Sequence, residues 1–184
     1  MMIRGKDAMG LALETARLTI KQFDEKDAAT AAYNSRQPRV AEEMSDMILT
    51  DEKAGLEWIN WINHQYSVGI PWLVLSIKEK QMQKCIGLIG IIPQPKIQGE
   101  LEILFSIEDG SQGQGYATEA AQKLIEWFLT AHPDKSLSAI VKRKNLASQK
   151  VVENVGFTFV EEREIVYDGT LTLFKYYTLS AEDE

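Results

Sequence analysis

The stretch GSQGQGYATEA, residues 110 to 120, places three glycines immediately before an alanine-rich segment. Glycine weakens a helix and costs conformational entropy on folding. A cluster of glycines therefore indicates backbone conformations that residues with a side chain rarely adopt. Successive N–H groups at the start of a helix, together with the helix dipole, bind anions such as pyrophosphate without a lysine. The stretch therefore predicts an anion-binding loop at a helix N-terminus, with a plain turn as the simpler alternative.

Two other phosphate-binding motifs fit these residues less well. A nucleoside-triphosphate P-loop needs a lysine after its last glycine, and none follows Gly115. A dinucleotide-binding fingerprint needs a third glycine where Thr118 stands, and it belongs to a doubly wound parallel sheet. Because the strands before the loop are predicted to pair antiparallel, a pyrophosphate held on backbone N–H groups is the favoured interpretation.

The elements around this loop follow from periodicity and turn residues. The alternating or continuous apolar runs predict strands over 16–23, 71–79, 84–93, 99–107 and 137–141, followed by a C-terminal hairpin that turns at Asp168-Gly169. Spacing of three and four predicts helices over about 25–35, 51–66, 117–129 and 147–156. The order implies an α+β fold, with a mixed, mostly antiparallel sheet, one parallel crossover between 99 and 141, and flanking helices.

Length and composition set the class of protein. The 184 residues suffice for one domain with a sizeable core, preceded by an extension, residues 1 to 12, that is expected to be loosely ordered. The formal net charge of −7 argues against non-specific nucleic-acid binding, which depends on lysine and arginine. No apolar run approaches the roughly 20 residues of a membrane span. The N-terminal stretch does not resemble a signal peptide, so we expect a cytoplasmic protein with no membrane partner.

Cysteine and histidine are too few for metal or disulfide chemistry. The single cysteine, Cys85, excludes an intrachain disulfide framework and is predicted to be a small core residue. The only histidines, His64 and His132, are predicted to lie at the surface. These three residues form no metal-ligand cluster, so no metal site is expected.

Two motifs in a fixed order carry a resemblance to a known family. GQGYATEA is followed some thirty residues later by NLASQKVVENVGF, and the chain opens with LETARLTIKQFDEKDA. Together they resemble the GNAT superfamily of acyl-CoA N-acyltransferases, especially the branch of ribosomal-protein-alanine N-acetyltransferases, over about residues 12 to 180. The chain has Gly110 where the family pattern has Gln or Arg, and Gln112 where the branch usually has an aromatic residue.

The resemblance implies a cofactor site and a fold. Residues 13 to 184 would form one acetyltransferase domain, with coenzyme A between the splayed parallel strands 99–107 and 137–141. Acetyl-CoA would be the co-substrate, its pantetheine paired with one strand edge and its pyrophosphate on the glycine loop. Cofactor contacts are then expected from Phe105, Ser106, Ile107, Gln112, Gly113, Gln114, Gly115, Tyr116, Ala117, Asn145 and Ser148.

The resemblance also implies direct acetyl transfer from the thioester to a primary amine in a ternary complex. A neutral amine is needed, so a carboxylate must accept a proton; Glu102 is the candidate and Glu100 the reserve. Ser148 is the candidate for stabilising the leaving thiolate. The alternatives are that both carboxylates form the solvent face of a strand, that Ser148 caps or pads its helix, and that Asn145 is a turn residue.

The resemblance implies that the acceptor is either a protein N-terminal amine or a small amine. We expect its site to be built from the Trp58–Trp61 helix, the 65–72 loop and the Asp168–Gly169 hairpin, in a monomer or a homodimer. A non-catalytic acetyl-CoA-binding sensor or assembly module is the alternative function.

Overall fold

A computed structural model describes residues 10–68, 72–97 and 100–180. Within them eight strands form one sheet: β1 (Ala12–Glu14), β2 (Leu18–Lys21), β3 (Leu73–Glu79), β4 (Lys84–Gln94), β5 (Glu100–Ile107), β6 (Ser136–Lys142), β7 (Thr158–Tyr167) and β8 (Thr170–Ser180). The described α-helices are α1 (Ala28–Ser35), α2 (Pro38–Glu43), α3 (Glu52–Val68), α4 (Tyr116–Ala131) and α5 (Leu146–Asn154). None of the described helices is long and apolar enough to cross a membrane.

The sheet runs in the order β1-β2-β3-β4-β5-β6-β8-β7. Neighbouring strands pair antiparallel throughout, except that β5 and β6 are parallel. This exception follows from the connection, because α4 carries the chain from the end of β5 back to the start of β6. The predicted mixed sheet with one parallel pair is therefore confirmed.

The helices cover the sheet and build its core. Helices α1 and α3 pack against each other, and α1 also contacts β4. Helix α4 packs against β5, against the short strands β1 and β2, and against α5. Its apolar stripe is fully buried, as its spacing predicted, through Ala120, Ala121, Leu124 and Phe128. Helix α4 thereby packs directly on β5, the strand on which the candidate chemistry depends.

Local sequence signals place most boundaries correctly. Asp24 and Asp27 form the capping box that starts the first helical segment, and Gly156 follows α5 in a left-handed conformation with φ of 97°. The predicted hairpin turn has positive φ at Asp168 and Gly169, 50° and 72°, as a type I′ turn requires. Strand β1 and helix α2 had not been predicted, because three and six residues carry too little periodicity to stand out.

The prediction of a surface position for His132 is wrong, whereas His64 is exposed as predicted. His132 follows the last turn of α4 and is only 4% exposed. Its ring packs on Phe128 one turn earlier, with ring centroids 5.1 Å apart. A histidine at a helix end therefore continues the apolar stripe of that helix. Cys85 is a buried free thiol, as predicted.

Candidate active site

Strands β5 and β6 diverge from a single point of contact. In the described part of the chain, one residue pair, Glu102 with Ser138, joins the two strands. The Ser138 hydroxyl secures this point by donating to the Leu101 carbonyl oxygen at 3.1 Å. Beyond it lies an open cleft, lined by residues 102–105 of β5 and 139–142 of β6. The sheet is thus splayed at the place where a ligand was predicted to lie.

One edge of β5 faces this cleft with unused backbone groups. The N–H of Glu108 donates to the Ile86 carbonyl oxygen at 2.8 Å, so in the register with β4 the even-numbered residues bond to β4. The N–H and C=O groups of Phe105 and the N–H of Ile107 therefore point toward the gap, whereas the Ile107 carbonyl oxygen is taken by Gln112 Nε2. Those of Ser106 point toward β4, although it was grouped with the other two in the prediction.

Glu102 lies inside the cleft as a buried carboxyl group. Its side chain is only 7% exposed, and Gln94 donates from Nε2 to its Oε2 at 2.5 Å. Burial raises the pKa of Glu102 to about 7, although hydrogen bonds from Gln94 and the Ile140 backbone oppose this rise. A carboxyl group with this pKa exchanges a proton near neutral pH, as a general base must.

Glu100, the reserve candidate, lies elsewhere. It is exposed and accepts a hydrogen bond from the Tyr176 hydroxyl at 2.5 Å. The cleft is lined by Glu102 and not by Glu100. The structure therefore separates two carboxylates that the sequence placed on one strand face.

Asn145 and Ser148 also line the cleft, where α5 begins. The Ser148 N–H donates to Asn145 Oδ1 at 3.0 Å, so Asn145 is the N-cap of α5. The capping role that was weighed for Ser148 thus belongs to Asn145. The Ser148 hydroxyl has no hydrogen-bond partner among the described residues and is free to serve a ligand.

The glycine loop connects the end of β5 to α4. Gly113 and Gly115 have φ of 75° and 81°, which L side chains rarely adopt. The backbone N–H groups of residues 113 to 117 donate to no atom of the described chain. Of the six predicted donors, only Gln112 is engaged, to the Asp109 carbonyl oxygen at 3.4 Å. Five N–H groups are therefore available beside the open edge of β5.

Arg17 holds the far side of this loop, and the sequence analysis did not identify it. Its Nη1 donates to the Gln114 carbonyl oxygen at 3.0 Å, and its Nε donates to Glu119 Oε2 at 2.7 Å. Its guanidinium lies over the Tyr116 ring, 4.3 Å from the centroid, so Tyr116 is buried under Arg17. Thr15 adds a hydroxyl hydrogen bond to Glu119 at 2.6 Å. About one hundred residues separate these partners, so no local pattern indicates the contact.

The near side of the loop is held by other side chains. Glu108, buried where β5 ends, accepts Lys84 Nζ at 2.7 Å and the Ser111 hydroxyl at 2.8 Å. Gln112 donates from Nε2 to the Ile107 carbonyl oxygen at 2.9 Å. Side chains on both sides therefore fix the loop before a ligand arrives.

The outer wall of the cleft joins the C-terminal hairpin to the segment after α2. The Tyr167 hydroxyl donates to Asp46 Oδ1 at 2.8 Å. Lys96 and Lys142 place their ammonium groups over the Tyr167 ring, 4.3 and 4.7 Å from its centroid. Tyr167 immediately precedes the hairpin turn that was predicted to face the acceptor.

The other predicted parts of the acceptor site have different positions. Trp58 of α3 lines a second cavity beside the cleft. Trp61 is 45% exposed and packs edge-on against Trp72 at 5.2 Å between ring centroids. Part of the predicted 65–72 loop, residues 69–71, lies outside the described residues.

Sequence comparison agrees with this geometry. The family described as Acetyltransferase (GNAT) domain matches residues 17–158. YjdG of Bacillus subtilis (strain 168), an uncharacterized N-acetyltransferase, is 34% identical over 86 residues, or 47% of this chain and 49% of that protein. That match spans about half the length of this relative. The uncharacterized N-acetyltransferase p20 of Bacillus licheniformis is 28% identical over 145 residues, or 79% of this chain and 81% of that protein.

Solved structures share the fold at low sequence identity. The ribosomal-protein-S5-alanine acetyltransferase of Vibrio fischeri superposes with a TM-score of 0.76 at 17% identity, covering 94% of this chain and 98% of that one. The microcin C7 self immunity acetyltransferase MccE, in complex with acetyl-CoA and AMP, gives a TM-score of 0.76 at 20% identity, covering 90% and 93%. With the family match over residues 17–158, the chain is an acyltransferase that belongs to the GNAT acetyltransferase family.

Proposed function

We propose that this protein transfers an acetyl group from acetyl-CoA to a primary amine by direct attack in a ternary complex. The observation that carries the proposal is Glu102, a buried carboxyl group with a pKa of about 7 in the cleft where the sheet opens. Asn145 and Ser148 line the same cleft. The predicted base and the predicted thiolate partner therefore face one space, although 46 positions separate Glu102 from Ser148 in the sequence.

The donor site fits acetyl-CoA in two ways. The free N–H groups of residues 113 to 117 suit a pyrophosphate, because they lead into the first turn of α4 and lie at its positive dipole end. The backbone groups of Phe105 and Ile107 that point into the gap suit the amides of a pantetheine arm. The acetyl-CoA bound in MccE supports this choice of donor.

The reaction then follows from the side chains of the cleft. The amine nitrogen attacks the thioester carbonyl carbon, the carbon–sulfur bond breaks, and the electron pair leaves with the sulfur. Glu102, directly or through water, takes the proton that the amine must lose. The Ser148 hydroxyl donates a hydrogen bond to the thiolate. The ribosomal-protein acetyltransferase among the structural neighbours supports a protein N-terminal amine as one kind of acceptor, and small amines are the other.

The test is release of free coenzyme A from acetyl-CoA in the presence of a panel of primary amines. In the wild type, kcat/KM should rise with pH through a limb near pH 7, where Glu102 loses its proton. Glu102→Gln should lower kcat by roughly 10²- to 10⁴-fold and remove that limb, because an amide accepts no proton. Glu100→Gln is the matched control, since it changes an exposed carboxylate of the same strand.

Two results would contradict the proposal. A Glu102→Gln variant with the wild-type rate and pH profile would exclude Glu102 as the base. Tight acetyl-CoA binding without turnover of any amine would support the non-catalytic binding module instead.

A further inference from the structure

Gln94, the last residue of β4, reaches diagonally across the sheet to the candidate base. In the antiparallel register Gln94 lies opposite Glu100, and Ile92 lies opposite Glu102. Gln94 and Glu102 are therefore diagonal neighbours on one sheet face, a separation that a long side chain spans. Gln94 Nε2 donates to Glu102 Oε2 at 2.5 Å, and both side chains line the cleft. The amide thus enters the cleft beside the carboxyl group.

The Gln94 amide has a fixed orientation. The Lys96 backbone N–H donates to Gln94 Oε1 at 3.2 Å. Because an N–H group can only donate, this contact holds the amide oxygen toward Lys96 and turns the Nε2 donor toward Glu102. Glu102 therefore meets a donor, and a donor stabilises the ionised carboxylate more than the neutral acid.

The sequence restricts the backbone that carries this side chain. The stretch IIPQPKI, residues 91 to 97, places a proline on each side of Gln94. Proline fixes its own φ and holds the residue before it in an extended conformation, and Gln94 precedes Pro95 at the end of β4. The side chain thus starts from a backbone with few alternative conformations, so little entropy is lost when it holds Glu102.

The carboxylate directly opposite Gln94 has another partner. Glu100 accepts a hydrogen bond from the Tyr176 hydroxyl at 2.5 Å. The two ends of the Gln94 amide are used instead by Glu102 and by the Lys96 N–H. Gln94 is therefore joined to the carboxyl group inside the cleft and not to the exposed one.

Other ionisable groups also face Glu102 in the cleft, and they form two ion pairs. These are Lys96 with Asp46, at 3.6 Å, and Lys142 with Glu43, at 3.8 Å between nitrogen and oxygen. Lys96 lowers the pKa of Glu102 and Asp46 raises it, so this pair largely cancels. The Tyr167 hydroxyl has a pKa of about 12 and is neutral at working pH. The hydrogen bond from Gln94 is the largest effect that favours ionised Glu102.

We propose that Gln94 is a positioning residue for the general base. Its amide orients the Glu102 carboxylate in the cleft and keeps it ionised at a lower pH than burial alone would allow. This inference rests on the role of Glu102 in the acetyl transfer proposed above. Gln94 acts through Glu102 and does not touch the reacting atoms. Without its donor, the carboxyl group would retain its proton to higher pH and could not accept one from the amine near pH 7.

The test is the pH profile of kcat/KM for one acceptor amine, whose own ionisation is then common to all profiles. Gln94→Met keeps the length of the side chain and removes the donor, so the limb near pH 7 should move up by about one pH unit. KM for acetyl-CoA should stay within about two-fold, since no predicted cofactor contact involves Gln94. The position of a limb does not depend on the fraction of folded protein.

Gln94→Glu is a second variant of nearly the same shape, in case Gln94→Met does not fold. It places a second carboxyl group beside Glu102, and two adjacent carboxylates do not both ionise readily. Its limb should therefore move further up than that of Gln94→Met. Gln81→Met is the matched control, because it makes the same change at an exposed position in the turn before β4. Its limb should stay at the wild-type pH.

Carbon-13 NMR of the side-chain carboxyl groups checks the same shift without any amine. The Glu102 signal is identified by its absence from Glu102→Gln, and its midpoint should rise by about one pH unit in Gln94→Met. A limb and midpoint at wild-type pH in both Gln94 variants, even with a rate lowered at every pH, would overturn this inference. The proposed function would then still stand, provided that Glu102→Gln removes the limb. A limb that survives in Glu102→Gln would overturn both.

Discussion

At the scale of single residues, Glu102 shows how a catalytic demand conflicts with stability. An unfolded glutamate has a pKa of about 4.3, whereas the pKa of folded Glu102 is about 7. Between these values the folded protein retains a proton that the unfolded chain has released. Stability therefore falls as pH rises from about 4.5 to 7, and the full cost, of the order of 3 kcal/mol, persists above pH 7.

Glu102→Gln should consequently be more stable than wild type at pH 8, while it loses activity. A neutral amide carries no ionisation cost, so the free energy of unfolding should rise by up to about 3 kcal/mol and lose its slope between pH 4.5 and 7. Urea unfolding at several pH values measures both effects. Glu100→Gln should keep the wild-type slope. Equal slopes for the Glu102→Gln variant and wild type would mean that Glu102 is not buried as a perturbed acid.

Ser148 and Asn145 have separable roles in the cleft. Ser148→Ala keeps the helix cap, since the cap uses the Ser148 N–H and Asn145 Oδ1. We expect it to lower kcat about ten-fold, through the lost hydrogen bond to the thiolate, and to change stability by less than about 0.5 kcal/mol. Asn145→Ala removes the cap and should cost about 1 kcal/mol. Kinetics with thermal unfolding of both variants checks this, and a Ser148→Ala enzyme with unchanged kcat would remove Ser148 from the reaction.

At the scale of elements, the glycine loop depends on two of its three glycines. Gly113→Ala forces a side chain into φ of 75°, which costs about 1 to 2 kcal/mol and shifts the N–H groups. Its KM for acetyl-CoA should therefore rise. Gly110→Ala is the control, because Gly110 lacks a positive φ and has open space around the added methyl group. If both variants bound acetyl-CoA equally well, the loop conformation would not matter to binding.

Arg17, immediately before β2, and Glu119 of α4 pair beside that loop. Burial opposes ionisation of Glu119, but hydrogen bonds from Thr15 and Arg17 lower its pKa overall. Arg17→Ala should raise KM for acetyl-CoA with little change in kcat, since the pair positions the loop without touching the reacting atoms. Arg17→Lys should restore little, because lysine lacks the planar fork that bonds both partners. Lys123→Ala, which breaks an exposed pair on the same helix, is the control, and a wild-type KM in Arg17→Ala would contradict the positioning role.

Local signals explain which elements the sequence predicted. The capping box at Asp24 and Asp27, the alanine stripe of α4 and the type I′ turn each involve residues within a few positions of one another. The Arg17–Glu119 contact spans 102 positions, and the pKa of Glu102 arises from burial by several elements. A long-range contact and a pKa that depends on burial arise only when the chain has folded, so neither can be predicted from a short segment of sequence. The burial of His132 was not predicted for the same reason, because it depends on the elements that pack against α4.

At the scale of the whole molecule, the sheet consists of two parts joined at one place. Strands β1 to β5 form one part and β6 to β8 the other, and the pair of Glu102 with Ser138 connects them in the described structure. Beyond that pair, the backbone groups of β5 that point away from β4 have no partner on β6 in the described structure. A ligand that lies in the gap and bonds to β5 would complete the sheet, as an added strand does. Ligand binding and the integrity of the sheet are therefore coupled.

Acetyl-CoA should accordingly stabilise the entire fold. At a concentration one hundred times its Kd, a ligand that binds only the folded form adds about 2.7 kcal/mol. For a chain of this length that corresponds to a rise in Tm of roughly 5 to 11 °C. NAD, which carries a pyrophosphate but no pantetheine, should give a much smaller rise, and hydrogen exchange should show new protection at the Phe105 and Ile107 N–H groups. Only a ligand that lies in the gap between β5 and β6 protects both parts of the sheet. An equal rise in Tm with NAD, or hydrogen-exchange protection confined to the glycine loop, would therefore mean that this gap is not the pantetheine site.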